Sequence, residues 1–238
     1  MNDTKVALVT GANKGIGYAI AEGFGRLGYT VIVGARDETR RDHAVEKLRA
    51  AEIDAIGVSL DVTSDDSVTA AASIIEDKTG RLDVLVNNAG ISGRTESGAQ
   101  DPTTLDLGVM LTVLDTNVFG VVRVTNAMLP LLRRATSPRI VNMSSNMGSL
   151  TLQTGPILAS YASSKTMLNS ITTQYARAFT DTNIIVNAAC PGYVATDFTG
   201  FNSPRTAEQG AAIALHLATL PDGGPRGGFF DDDGAIPW

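Results

Sequence analysis

Apolar residues follow two different spacings that alternate along the chain. Short continuous runs rich in Val, Ile and Leu are typical of buried strands, and a later run, GGFFD, is typical of an edge strand. Some of these runs continue into a turn, as LDVLVNNAG does. The predicted strands lie at 5–10, 30–33, 55–61, 82–90, 139–145, 183–192 and 227–231.

The segments between these runs place apolar residues at helical spacing, as Ile16, Ile20, Phe24 and Leu27 show. The predicted helices cover 15–27, 37–51, 64–80, most of 103–134, 159–179 and 207–220. Buried strands that alternate with helices predict right-handed crossovers and a parallel sheet covered on both faces. The sequence therefore predicts an α/β fold, a single doubly wound domain over residues 1–238 with a seven-stranded, mostly parallel sheet.

The first predicted strand runs into TGANKGIG, where Gly11, Gly15 and Gly17 precede a helix. The first glycine permits a tight turn, the second lets the backbone approach a pyrophosphate, and the third lets helix and strand pack closely. The helix N-terminus also favours an anion. This pattern predicts the dinucleotide-binding turn of a Rossmann-type domain. A glycine-rich turn without a ligand is the alternative.

Two cations near this turn bear on the choice of dinucleotide. Lys14 lies within the turn, and Arg36 follows the second strand, where an NAD-preferring site usually has an acidic residue. Cations at these positions would pair with a 2′-phosphate, which favours NADP(H). Asp37 could take the acidic role if the strand ends one residue later. Lys14 and Arg36 could also be solvated surface charges.

The stretch SYASSKTMLNS places Tyr161 and Lys165 on one face of a helix, one turn apart. Reduction of a carbonyl leaves an alkoxide that needs a proton, and a neighbouring cation favours the phenolate of a Tyr whose ordinary pKa is ~10. A Ser hydroxyl can donate to the developing oxyanion. Alone, such a pair is more often a half-buried Tyr beside a solvated Lys.

Taken together, the chain resembles the compact one-domain form of the short-chain dehydrogenase/reductase family over nearly its whole length. The TGANKGIG turn and Arg36 look most like the NADP-dependent carbonyl reductases of that family. The resemblance rests on seven motifs in the family's order: TGANKGIG, Asp61–Val62, NNAG at 87–90, Asn117 in DTNVFG, Ser145 in VNMSS, the Tyr161–Lys165 pair, and PGYVAT at 191–196.

This resemblance implies a role for each matching residue. Tyr161 would be the acid and base, Lys165 its activator and a ribose ligand, Ser145 the group that polarises the carbonyl, and Asn117 the anchor of a water in a proton relay. The cofactor would contact Gly11, Asn13, Lys14, Gly15, Ile16, Gly17, Arg36, Asp61, Val62, Asn88, Ala89, Gly90, Tyr161, Lys165, Pro191, Gly192, Val194 and Thr196.

The implied activity is NADPH-dependent, reversible reduction of a ketone or aldehyde to an alcohol. Two alternatives stay open. One is an NAD(H)-preferring alcohol dehydrogenase of the same family, and the other is a dinucleotide-sensing protein without turnover. Sensors of that kind typically lose the Tyr or the Lys, whereas this chain has both, with Asn117 and Ser145.

One departure from the family's pattern concerns the serine. Ser145 and Tyr161 are sixteen residues apart, which indicates a short insertion relative to the family's common spacing. Ser144, Ser149 and Ser160 are therefore competitors for the serine role. Ser145 is preferred because it lies at the end of the strand RIVNMSS, where the family places its serine.

The predicted substrate loop, 197–205, contains Phe198 and Phe201, which could form an apolar pocket. Arg205 and Arg94 are the charged side chains that could anchor a carboxylate, but each is more typical of a surface. We therefore expect an uncharged ketone or aldehyde.

Composition excludes several other classes of function. A net charge of −6 over 238 residues argues against broad binding to nucleic acid or anionic membrane. The one cysteine, Cys190, cannot form an internal disulfide, and no residues have metal-ligand spacing. No run resembles a signal peptide or a membrane span. We expect a cytoplasmic protein without metal or membrane partners, and a homodimer or homotetramer by family habit, with a monomer not excluded.

Overall fold

The computed structural model describes residues 4–94, 100–152 and 155–238. Its strands form one eight-stranded sheet in the order β3-β2-β1-β4-β5-β6-β7-β8, in which β1 to β7 pair in parallel. The strands are β1 Val6–Thr10, β2 Thr30–Ala35, β3 Ala55–Ser59, β4 Val84–Asn87, β5 Arg139–Met143, β6 Ile185–Ala189, β7 Phe229–Asp231 and β8 Gly234–Ala235.

Helices cover both faces of this sheet, as the alternation of spacings predicts. One apolar core lies between the sheet and α1, α2 and α7, and the other lies between the sheet and α3, α5 and α6. The helices are α1 Gly15–Arg26, α2 Glu38–Ala50, α3 Asp65–Thr79, α4 Leu107–Leu114, α5 Gly120–Leu132, α6 Ala159–Ala178 and α7 Ala207–Ala218. The predicted doubly wound α/β fold is confirmed.

The strand count differs from the seven predicted. After β7 the chain turns at Asp232 and Asp233, and Gly234–Ala235 returns as a short antiparallel strand paired with Phe230 and Asp231. Gly234 has φ +126°, a conformation that favours glycine. A strand of two residues carries no alternation of apolar and polar positions, so its pattern could not be recognised in the sequence.

A π-helical turn, Asp115–Phe119, joins α4 to α5. The whole stretch Leu107–Leu132 is long and apolar enough to cross a membrane by length and composition alone. Within the structure, 33% of its most apolar window is buried. Val124, Met128 and Leu132 pack into the core against the sheet. Part of the apolar character is therefore that of a core helix, and the remainder lies on the surface.

The order of the strands positions the ligand site. The sequence order reverses between β1 and β4, and in doubly wound sheets ligands bind at the carboxyl ends of the strands beside such a reversal. The glycine turn follows β1, NNAG follows β4, Ser145 follows β5, and PGYVAT follows β6. The predicted motifs therefore share one edge of the sheet.

Candidate active site

The glycine turn has the conformation that its sequence predicts. Gly11 and Gly15 have φ values of +65° and +56°, where a side chain would strain the backbone. A Cβ on Gly17 would lie 2.4 Å from both the carbonyl oxygen of Gly11 and Nδ2 of Asn88. The three glycines are thus required by the close approach of turn, helix and neighbouring strand.

The N-terminus of α1 is suited to an anion. Within the described chain its N-cap, Lys14, makes no side-chain hydrogen bond to the first turn, and that turn contains no acidic residue. The first N–H groups of the helix are therefore available to a phosphate. Ile16 is partly buried and packs its side chain against the core, and Asn13 is half-buried. These features fit the diphosphate of a dinucleotide.

The two cations predicted to read a 2′-phosphate differ in their surroundings. Lys14 Nζ lies 2.6 Å from Oδ2 of Asp197, and both side chains are about half exposed. Arg36 is exposed just after β2. Asp37, the acidic alternative, caps α2 by accepting a hydrogen bond from the backbone N–H of Arg40. Its carboxylate is therefore engaged as the cap of α2, and is not free to bind the ribose at the end of β2.

Asp61 and Val62, which the resemblance assigns to the adenine, follow β3. Asp61 accepts hydrogen bonds from the backbone N–H and the hydroxyl of Thr63, which lower the pKa of its carboxyl group, as does the charge of Arg36. Val62 is buried, and a Cβ on Gly120 would approach its side chain to 2.8 Å. The pair therefore forms a rigid rim between β3 and α5.

Thr10 and Asn88 hold the ends of β1 and β4 together beneath the glycine turn. Asn88 Nδ2 donates to the carbonyl oxygens of Thr10 and Gly11, at 2.9 and 3.3 Å. The Thr10 hydroxyl accepts from the backbone N–H groups of Asn88 and Ala89. Thr10 was not among the residues predicted from the sequence, although its position as the last residue of β1 before Gly11 was a signal for it.

Asn117 lies within the π-helical turn and is fully buried. Its Oδ1 accepts from the N–H of Ile91, and its Nδ2 donates to the Ile91 carbonyl and to the hydroxyl of Ser164, at 2.9 and 3.0 Å. A Cβ on Gly90 would lie 3.3 Å from the same Oδ1. The Asn117 side chain thus holds the loop that follows β4 against α6. π-Helical turns are frequent at functional sites, and Asn117's predicted role in a water relay stays a prediction.

Tyr161, Lys165 and Ser145 come together at the centre of the site. Lys165 Nζ lies 5.5 Å from the centre of the Tyr161 ring and donates to the carbonyl oxygen of Met143 at 2.7 Å. Burial raises the pKa of the Tyr161 phenol well above its usual range, while a hydrogen bond with Ser145 lowers it. Burial lowers the pKa of Lys165 to about 8. The phenol is therefore held protonated at neutral pH.

Two of the three competing serines are engaged elsewhere. The hydroxyl of Ser144 donates to Oδ1 of Asn169 at 2.6 Å, and that of Ser149 donates to a backbone carbonyl near the end of the chain. The Ser160 hydroxyl is buried and has no hydrogen-bond partner among the described residues. Within the described ranges, Ser145 is the one serine of the four that lowers the pKa of the Tyr161 phenol, and its own hydroxyl donates to Oδ1 of Asn146 at 3.3 Å.

The PGYVAT segment follows β6 and is held by hydrogen bonds from Arg205. Gly192 has φ +73°. The Arg205 guanidinium donates to the carbonyl oxygens of Pro191 and Gln209, at 2.8 and 2.7 Å, and pairs with Asp232. Because protein acceptors engage this cation, it is not a free anchor for a substrate carboxylate.

The predicted substrate loop folds over the tyrosine. Thr199 donates its hydroxyl to the Val194 carbonyl at 2.6 Å and accepts from the N–H of Thr196, which forms a short 3₁₀ turn. This turn carries Phe198, whose ring centre lies 5.0 Å from that of Tyr161. Phe198 thus packs against the Tyr161 ring, whereas Phe201 is exposed.

Arg94, the second cation considered for a carboxylate, lines a recess of about 410 Å³ with Ile91, Asp106 and Val113. The described lining of this recess includes neither Tyr161 nor Ser145, so it lies beside the site rather than within it.

Comparison with known proteins places these features in a family. Residues 5–207 match the family model described as short chain dehydrogenase. A short-chain dehydrogenase of Penicillium roqueforti is 34% identical over 97% of this chain and 95% of its own. Carbonyl reductase (NADPH) 1 of Rattus norvegicus is 32% identical over 100% of this chain and 99% of its own. The solved NADPH-bound carbonyl reductase from chicken fatty liver has a TM-score of 0.85 at 28% identity, with 99% of both chains covered.

Proposed function

The chain belongs to the short chain dehydrogenase family, and we propose that it reduces an uncharged ketone or aldehyde to an alcohol, reversibly, with NADPH. One observation carries this proposal. The buried phenol of Tyr161 meets the Ser145 hydroxyl and lies within one helical turn of Lys165, at the edge of the sheet where the glycine turn ends.

The predicted family and the predicted class, an oxidoreductase, are confirmed. The predicted reaction, reversible reduction of a carbonyl, agrees with the names of the relatives, which include carbonyl reductases. The structure gives the sensing alternative no support, because Tyr161, Lys165, Ser145 and Asn117 all lie at one edge of the sheet.

The residues of this chain divide the chemistry as follows. When bound, a nicotinamide cofactor supplies the hydride that reaches the carbonyl carbon. Ser145 donates a hydrogen bond to the carbonyl oxygen and stabilises its developing charge. Tyr161, which burial keeps protonated, gives its proton to that oxygen. The Phe198 ring covers Tyr161 and limits the access of water to the phenol.

Lys165 completes the site after the proton has left. Its ammonium group is one turn from the phenol, so it stabilises the phenolate that remains on Tyr161. Its hydrogen bond to the Met143 carbonyl fixes its position at the end of β5. The ribose contact implied by the family is assigned to the same ammonium group.

The preference for NADPH rests on Lys14 and Arg36. Both cations flank the glycine turn and the end of β2, and the acidic alternative, Asp37, is engaged as a helix cap. The rat relative is named for NADPH, and the chicken structure contains it. Lys14 would exchange Asp197 for the 2′-phosphate on cofactor binding.

The proposal is tested by the oxidation of NADPH and NADH with a panel of uncharged ketones and aldehydes, and with charged keto acids as controls. We expect turnover with NADPH, little with NADH, and little with the keto acids. Lys14→Ala and Arg36→Ala should each weaken NADPH binding and leave NADH binding nearly unchanged. Faster turnover with NADH would contradict the cofactor assignment. Tight cofactor binding without any turnover would favour a sensor.

The preference for an uncharged substrate is supported by the surroundings of Arg205, whose guanidinium is engaged by three protein acceptors. The side chain that packs against Tyr161 is apolar, because the Phe198 ring lies 5.0 Å from the Tyr161 ring. Clear preference for a keto acid would contradict this part of the proposal.

Assembly and location are further parts of the proposal. Leu107 and Leu111 are 70% and 63% exposed on α4, and Phe119 is 41% exposed just beyond it. An apolar surface of this kind favours contact with a second copy of the chain, so we assign a homodimer or homotetramer. We also propose a cytoplasmic location, as expected from the sequence.

A further inference from the structure

Pro237 and Trp238 are hydrogen-bonded to the loop that follows Ser145. The Ser149 hydroxyl donates to the Pro237 carbonyl at 2.7 Å. The N–H and the hydroxyl of Thr151 both donate to the Trp238 carbonyl, at 3.2 and 2.8 Å. We call residues 236–238 the tail and residues 146–152 the serine loop. Three hydrogen bonds therefore join the tail to the serine loop.

The tail is itself fixed to the sheet. The Trp238 ring stacks on Phe229 of β7, with ring centres 5.6 Å apart and planes inclined by 15°. Phe229 is buried in a small core with Cys190 and Ile236. The Cys190 sulfur accepts a hydrogen bond from the N–H of Asn146, at the start of the serine loop. The same small core therefore supports the serine loop at both of its ends.

The opposite side of the serine loop rests on α6. The Gly148 carbonyl accepts from Thr166 and Asn169, and a Cβ on Gly148 would lie 2.8 Å from that of Lys165. The loop is thus held between the tail and the helix that carries Tyr161. A shift of the tail would change the separation between Ser145 and Tyr161.

We propose that Trp238 is a positioning residue for the substrate, because its stacking on Phe229 fixes the tail carbonyls that hold the serine loop. The strand order separates the tail from the part of the cofactor site that would hold the adenosine and its phosphates. The tail lies beyond β7 and β8, whereas the glycine turn and Arg36 lie at β1 and β2, across the sheet. The proposal takes its activity readout from the proposed function, and its structural readout is independent of turnover.

The first test compares Trp238→Ala with Trp238→Phe, which keeps an aromatic ring over Phe229. We expect Trp238→Ala to raise KM for the ketone about 3- to 10-fold, the equivalent of one aromatic contact. The kcat value should fall less than KM rises, and the Kd of NADPH should stay within about 2-fold, since the tail is remote from the turn. In Trp238→Phe, the KM for the ketone should stay close to the wild-type value.

The second test adds another variant, and a measurement of amide exchange that does not need turnover. Thr151→Val removes one hydrogen bond to the Trp238 carbonyl with little change of shape, and it should raise KM in the same direction. Combined with Trp238→Ala it should add little, because both changes act through one contact. In Trp238→Ala, the amide protons of 146–151 should exchange faster while those in the middle of α6 are unchanged.

Two results would overturn the proposal. One is an unchanged KM in Trp238→Ala and in Thr151→Val, together with unchanged exchange in the serine loop. The other is an equal loss of ketone binding, NADPH binding and exchange protection across the chain, which would make the tail a general stabiliser. Absence of turnover in the wild-type protein would refute the proposed function alone, because the exchange measurement still tests the tail.

Discussion

At the scale of single residues, burial governs the charges of the site. Tyr161 and Lys165 are both shielded from water, and burial raises the pKa of the phenol and lowers that of the ammonium group to about 8. Each group is therefore pushed towards its neutral form. The sequence predicted the pairing of Tyr161 with Lys165 but not this balance, because helical spacing does not report how deeply a helix face is buried.

Lys165 should reduce the stability of the fold at neutral pH. Below about pH 8 the folded protein must hold a buried charge, which at its lowered pKa costs about 3 kcal/mol relative to the unfolded chain. Lys165→Met removes this cost and forfeits a hydrogen bond to Met143, worth about 1 kcal/mol. We expect a gain in unfolding free energy of about 1–2 kcal/mol, measured by urea denaturation, with loss of activity.

The effect of Lys165 on the free energy of unfolding should depend on pH. Between about pH 8 and the ordinary lysine pKa of 10.5, the unfolded chain keeps its proton while the folded chain has lost it, so the penalty is relieved as pH rises. The advantage of Lys165→Met should therefore shrink over this window. The exposed Lys78 of α3 gives a control variant, Lys78→Met, which also removes one lysine charge. A gap between Lys165→Met and wild type that widens with pH would contradict the buried charge.

The four serines give a sharper comparison. Ser145→Ala should lower kcat about 10²- to 10³-fold, the usual effect of removing one donor to an oxyanion. Ser160→Ala removes a buried hydroxyl that has no partner among the described residues, so it should keep activity and raise stability by about 1 kcal/mol. Steady-state kinetics and denaturation of both variants check this. The reverse ranking of kcat would assign the serine role to Ser160.

At the scale of elements, periodicity predicted the described strands except β8, and it predicted every described α-helix but merged α4 and α5 into one. It could not predict the π-helical turn at Asp115–Phe119, because those residues have the same apolar spacing as the helices on either side. The predicted helix over 103–134 begins at Leu107 instead, where the Asp106 carboxylate accepts from the N–H groups of Gly108 and Val109. Side-chain capping, rather than periodicity, sets that boundary.

The substrate loop shows what sequence alone could not supply. Lys14 and Asp197 are 183 positions apart, and only the folded chain brings them within 2.6 Å. Asp197→Asn should tighten NADPH binding about 2- to 5-fold, because an exposed ion pair worth up to about 1 kcal/mol no longer competes for Lys14. NADH, which lacks the 2′-phosphate, should gain less. Fluorescence titration measures both, and equal gains would show that Lys14 does not read the phosphate.

At the scale of the whole molecule, the fold leaves an apolar surface of α4 uncovered. Leu107 and Leu111 are exposed one turn apart on the same face. We expect light scattering to show a dimer or tetramer, and the double variant Leu107→Glu and Leu111→Glu to shift the mass towards the monomer. Arg49→Glu, on the distant α2, serves as a charge-change control. A monomeric wild-type protein would contradict the assembly proposal.

The central claim is that Tyr161 is the proton donor of a carbonyl reductase. The most direct test measures ketone-dependent NADPH oxidation and NADPH binding in Tyr161→Phe, which keeps the ring against Phe198 and removes only the hydroxyl. The account predicts a fall in kcat of about 10²- to 10⁴-fold with the Kd of NADPH nearly unchanged. Wild-type turnover in this variant would show that another group delivers the proton.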